Sequence, residues 1–100
     1  PQLSSLAREY GKDMITRSFF SHYNPEGLSP FDRMDKQGIK YNYAGENLAI
    51  NVSVEEAEVS LMNSDSHRKN ILNTHFSEIG IGVCVDETGA VYVVQEFIGE

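Results

Sequence analysis

The sequence predicts an α+β domain, with helices through most of the chain and a small antiparallel sheet at its end. Two observations carry this reading. Apolar residues recur every three or four positions in the runs before Phe76, which is the helical period. After Phe76 the period drops to two, and two strand-like runs face each other across "DETG" at 86–89. Strands do not alternate with helices, so a parallel βαβ sheet is not expected.

Each element follows from local chemistry. Leu3, Leu6, Ala7, Tyr10, Met14 and Ile15 share one helical face, with Arg8, Glu9, Lys12 and Asp13 on the other. Pro1 suits a first helical turn, and Gly11 weakens the middle of the helix and is expected to mark a close contact with another helix. "SHYNPEGLSP" at 21–30 breaks the pattern with two prolines and a glycine, and Asn24-Pro25-Glu26-Gly27 has turn chemistry. Ser29-Pro30 opens a short helix, "FDRMDKQ", which Gly38 stops. "IKYNYAGENLAI" at 39–50 reads as a short extended piece followed by a tight loop around Ala44-Gly45.

Ser53 followed by Glu56 forms a capping-box pattern that starts a helix running through Asn63. Its stripes, Val54-Ala57-Leu61 and Val59-Met62, predict cover on more than one side. One of Ser64, Asp65 and Ser66 caps a further short helix, "HRKNILN". Ile79, Ile81, Val83 and Val85 then alternate with Gly80, Gly82 and Cys84, giving a strand with small residues on one face. "AVYVVQEFI" returns as its hairpin partner.

One hundred residues suffice for one domain, and 40% apolar residues is an ordinary globular composition. A net charge of −7 with no basic stripe argues against nucleic acid as a partner. No run reaches the roughly 18 apolar residues of a membrane span, so the chain is not expected to cross a membrane. Cys84 is the only cysteine and sits in a strand-like run, where inert packing is expected. The chain opens on "PQLSSLARE", which reads as a helix start, so any signal peptide is expected to lie outside it.

Three polar residues need explaining: His22 after the first helix, Glu46 in "AGEN" and His67 at a later helix start. Two imidazoles and a carboxylate match the composition of an open metal site, although spacings of 24 and 21 residues fit no local motif. Each also has an ordinary structural reading, as a cap, a backbone acceptor or a solvated ring. A Ser-His-acid set can be assembled from Ser21, Ser64 or Ser66 with His22, His67 and Glu46, without the Gly-x-Ser-x-Gly elbow. Arg68, if buried, would need Glu46, Asp65 or Glu96 as a partner, while Asn47 and Asn70 suit structural amides tying loop backbone to helix ends. His75 reads as a surface residue.

Five ordered blocks, "FFSHYNPEG", "YAGENLA", "LMNSDSHRKNIL", "IGIGV" and "YVVQEF", span nearly the whole chain and resemble the CAP superfamily. That family comprises the cysteine-rich secretory, antigen 5 and pathogenesis-related proteins, and its domain is also called SCP. The "NS-x-x-HRKNIL" form is similar to the bacterial branch, whose members are mostly secreted or surface-attached. The resemblance implies an α-β-α sandwich with a small antiparallel sheet between helical layers. It also implies that residues 1–100 are a single domain lacking the family's first helix at the N-terminus.

The resemblance further implies a central cleft lined by His22, Glu46 and His67. Ser64 falls where the family often has a second glutamate, and Leu61 where it has an aromatic. His22, His67 and Glu46 would still suffice for a loosely held divalent metal such as zinc. The expected partner is a small-molecule, lipid, peptide or cell-wall ligand at an extracellular or cell-surface domain. The alternative is a metal- or His/Glu-dependent hydrolase of peptide or cell-wall bonds. Ser64 disfavours it, because a hydroxyl stands where a dedicated general base would be needed.

Overall fold

The computed structural model describes residues 2–100; Pro1, expected at the first helical turn, lies outside the described residues. Helix α1 (Gln2–Thr16) buries Leu3, Leu6, Ala7, Tyr10 and Met14, the face that its apolar spacing foretells. The loop expected at 21–30 spans residues 17–29, starting four residues earlier because α1 ends at Thr16; in it Gly27 N–H donates to Asn24 O at 2.8 Å and Leu28 N–H to Asn24 Oδ1 at 2.8 Å. Helix α2 (Pro30–Lys36) starts on a complete capping box, Ser29 with Asp32, and stops before Gly38 at φ 73°.

Strand β1 (Tyr43–Asn51) corrects the expectation of a tight loop. Gly45, which suggested a turn, is instead a close-approach position. A Cβ there would meet Phe76 Cζ at 3.0 Å, and the Phe76 ring stacks on Phe97. The alternation was also hidden, because Glu46 and Asn47 are buried polar residues in mid-strand.

Helix α3 (Val54–Asn63) is capped by Ser53 Oγ accepting from Glu56 N–H at 3.1 Å. It buries Ala57 and Leu61, but Val59 and Met62 stay exposed, so the second stripe has no cover. Helix α4 (Asp65–Leu72) follows directly, with Ser64 at its N-cap. Strands β2 (Glu78–Val85) and β3 (Val91–Gly99) form the expected hairpin around a turn in which Gly89 N–H donates to Asp86 O at 3.0 Å.

The sheet order is β1-β3-β2, antiparallel throughout, and the register pairs Glu46 with Glu96 and Asn47 with Gln95. Because side chains alternate, these two polar pairs point to opposite faces. On one face, α1 and α2 pack Leu6, Met14 and Met34 against Leu48, Val94 and Ile98. On the other, α3 packs Ala57 and Leu61 against Ala49, Val91 and Val93. The arrangement is therefore an α+β fold with the sheet between helical layers. The small face of β2 lies directly on α1, where Gly11 meets Cys84 Sγ, so its close contact is to a strand rather than a helix. The opposite face of β2, Ile79, Ile81, Val83 and Val85, is 40–60% exposed.

Candidate functional site

The site wraps around β1, an edge strand, and draws on both layers. His22 hangs from the 17–29 loop on the α1 and α2 side, while His67 sits in the first turn of α4 on the other. His22 Nδ1–H donates to Glu46 Oε1 at 2.7 Å, pairing a half-exposed ring with a carboxylate whose side chain is 1% exposed. An ionised carboxylate only accepts, so the neutral His22 ring must carry its hydrogen on Nδ1 and present a bare Nε2.

Behind Glu46 lies a cluster that the sequence did not reveal. Arg33, buried on α2, donates from Nη1 to Glu46 Oε2 at 2.9 Å and from Nη2 to Glu46 Oε1 at 3.3 Å. Nη1 also reaches Glu96 Oε2 at 3.4 Å, and Nη2 donates to the backbone carbonyl of His22 at 2.6 Å. The guanidinium lies 3.3 Å over the Tyr10 ring, and the Tyr10 hydroxyl donates to Ser21 O. One cation thus serves two carboxyl groups, and they divide the protonation states between them. Burial opposes ionisation of Glu46, but hydrogen bonds from His22, Glu96 and Arg33 outweigh it and hold its pKa below the ordinary range. Burial and the adjacent Glu46 charge push Glu96 up to about 11, so it remains a neutral acid at physiological pH. Arg33 Nε and Glu96 Oε1 are buried without a hydrogen-bond partner among the described residues.

The second histidine is anchored differently. His67 Nδ1 and Ser64 Oγ share a hydrogen bond of 2.8 Å, so the N-cap hydroxyl is spent on the ring rather than on a helix amide. Burial, then the charge that His22 can carry, lower the His67 pKa below the usual imidazole value. An amide ladder fixes its backbone. Asn47 Nδ2 donates to His67 O and to Gln95 Oε1, both at 3.0 Å, and Asn70 Nδ2 donates to Asn47 Oδ1 at 2.8 Å. Gln95 Nε2 in turn donates to Glu58 at 3.3 Å, so Glu58 is the acidic residue of α3 that reaches inward. These are the structural amides expected at Asn47 and Asn70.

The metal set His22, His67 and Glu46 implied by the resemblance stays an expectation. Among the described residues, no three His, Cys, Asp or Glu side chains gather to hold an ion. Glu46 is engaged by Arg33 and by His22 Nδ1, so it orients the imidazole from behind rather than standing beside it as a ligand. Arg68 is also resolved: it pairs with Asp65 at 2.6 Å on the surface, and Glu96 answers to Arg33 instead. His75 is exposed and packs against the Tyr43 ring, and the Cys84 thiol is pushed up in pKa by burial. Arg33 left one sequence signal, since it falls on the Pro30-Met34 stripe of α2 where an apolar residue would be expected.

With this geometry established, comparison with known proteins is informative. The cysteine-rich secretory protein (CAP) family model matches residues 1–97. The chain belongs to that family. The CAP relative YkwD of Bacillus subtilis, an uncharacterized protein, is 44% identical over 99 residues, which is 98% of this chain and 37% of the relative. A crystal structure of an extracellular protein containing an SCP domain from Bacillus anthracis is 33% identical with a TM-score of 0.86, covering 99% of this chain and 32% of that one. An outer surface protein of Borrelia burgdorferi shares the CAP fold at a TM-score of 0.89 and 23% identity, covering 99% of this chain and 74% of that one. The chain thus spans about a third of the length of these two Bacillus relatives. No helix among the described residues is long and apolar enough to cross a membrane.

Proposed function

We propose that this CAP domain is a ligand-binding module, working outside the cell or at its surface, whose cleft presents the Nε2 atoms of His22 and His67 to a small-molecule, lipid, peptide or cell-wall ligand. The observation that carries this reading is a division of labour between the two rings. A hydrolytic Ser-His-acid relay needs the acid on Nδ1 and the nucleophile on Nε2 of one imidazole. Here the acid Glu46 serves His22 at 2.7 Å, and the hydroxyl of Ser64 serves His67 at 2.8 Å. Both partners occupy Nδ1, and no hydrogen bond among the described residues engages either Nε2. Anchoring one ring nitrogen by an outer partner so that the other meets a ligand is the usual logic of an orienting shell. The extracellular description of the Bacillus anthracis relative supports the location.

The test is to mix the chain with muropeptides, short peptides and lipid vesicles, following both product release and the histidine ring resonances. We expect one class to shift His22 and His67 without turnover. His22→Ala and His67→Ala should each weaken that binding about tenfold or more, roughly 1.4 kcal/mol. Product formation that depends on His22 and His67 would establish the hydrolase instead, and no shift with any class would refute the cleft as a binding site.

A further inference from the structure

Two bonds to consecutive carbonyls tie the backbone at His22 to the layer beneath it, one from Tyr10 to Ser21 O and one from Arg33 to His22 O at 2.6 Å. Both donors belong to one stacked unit, since the Arg33 guanidinium lies 3.3 Å from the Tyr10 ring centroid. The same guanidinium forks onto both oxygens of Glu46, at 2.9 and 3.3 Å, which fixes the plane of the carboxylate that receives His22 Nδ1–H. Arg33 therefore controls the ring from two directions, through its backbone and through its hydrogen-bond acceptor.

We propose that Arg33 is the positioning residue of the cleft: by gripping His22 O and the Glu46 carboxylate together it locks His22 as the Nδ1–H tautomer, and the bare Nε2 selects ligands that offer a hydrogen-bond donor, such as a hydroxyl, amide or ammonium group. This rests on the binding reading above, because it assumes that Nε2 of His22 is the atom a ligand meets. Lysine cannot replace Arg33 in this role. An ammonium is a point charge without a planar fork, so it can balance Glu46 but cannot orient it while also holding the His22 carbonyl.

Nitrogen-15 spectra of the histidine rings, recorded on the full chain with neutral imidazoles, test this. In the unmodified protein His22 should show a protonated Nδ1 and an unprotonated Nε2. In Arg33→Lys the Nε2 signal should lose its unprotonated position and move towards a tautomer average, while the His67 signals stay in place and report an intact fold. Glu46→Gln, which turns the acceptor into an amide, serves as the control. If the unmodified protein lacks the Nδ1–H signature, the His22–Glu46 reading fails before Arg33 is at issue. If the signature is present and survives in folded Arg33→Lys, the positioning role is overturned. The same substitution is read in a Glu96→Gln background, where the second buried carboxyl beside Arg33 is replaced by an amide; failure of both variants to fold would make Arg33 a purely structural residue and also overturn the proposal.

Discussion

Arg33→Met is expected to lower folding stability by about 3–5 kcal/mol, the usual cost of removing one partner from a buried ion pair. The side chain is 8% exposed and supplies donors to Glu46, Glu96 and the His22 carbonyl. Methionine fills much of the same volume over Tyr10, so lost packing is a minor part of the effect. What dominates is Glu46, left buried with a charge that no cation locked beneath it still balances. Against a total stability of about 5–15 kcal/mol, the loss is a large fraction of the whole. Urea denaturation of the two proteins at neutral pH measures it directly. A loss below about 1 kcal/mol would mean that the cluster is less tightly coupled than its geometry indicates.

Gly82→Ala is expected to cost about 3 kcal/mol or more, at or beyond the upper end of ordinary overpacking. An added Cβ would sit 2.4 Å from Arg8 N and 2.5 Å from Ala7 C, and these atoms belong to the backbone of α1, which no rotamer change can move. The helix would have to lift from β2. Gly45→Ala is the contrasting case: its nearest neighbours are Phe76 ring atoms at 3.0 and 3.3 Å, which can swing aside, so the cost should be about 1 kcal/mol. Thermal or urea melts of both variants give the comparison. Equal losses would contradict the direct seating of α1 on the small face of the sheet.

The fold was legible where periodicity is strong and unlegislated by the site. α1 declares itself through a single clean stripe, and β2 through glycines alternating with branched residues. β1 is not legible, because Glu46 and Asn47 interrupt its alternation; the buried polar residues that tie down His22 and His67 are those that spoil the strand signal. Reading the site had a similar limit. His22, Glu46 and His67 were named from the motifs, but a motif does not say which atom faces which. That Glu46 stands behind His22, and that Ser64 pairs with His67, depends on placing the 17–29 loop and the start of α4 on opposite sides of β1. Arg33 was missed because a charged residue on a short amphipathic helix is ordinarily solvated, and only Glu96 paired with Glu46 across the sheet gives it a reason to be buried.

Whether His22 and His67 meet one ligand from opposite layers is tested most directly by the titration of His67 in the presence and absence of His22. Burial holds the His67 midpoint low, and the charge on His22 lowers it further. Removing that charge in His22→Ala should raise the midpoint part of the way to the ordinary imidazole value, with burial accounting for the remainder. A His67 midpoint that does not move, in a variant that remains folded, would place the two rings too far apart to act on one ligand.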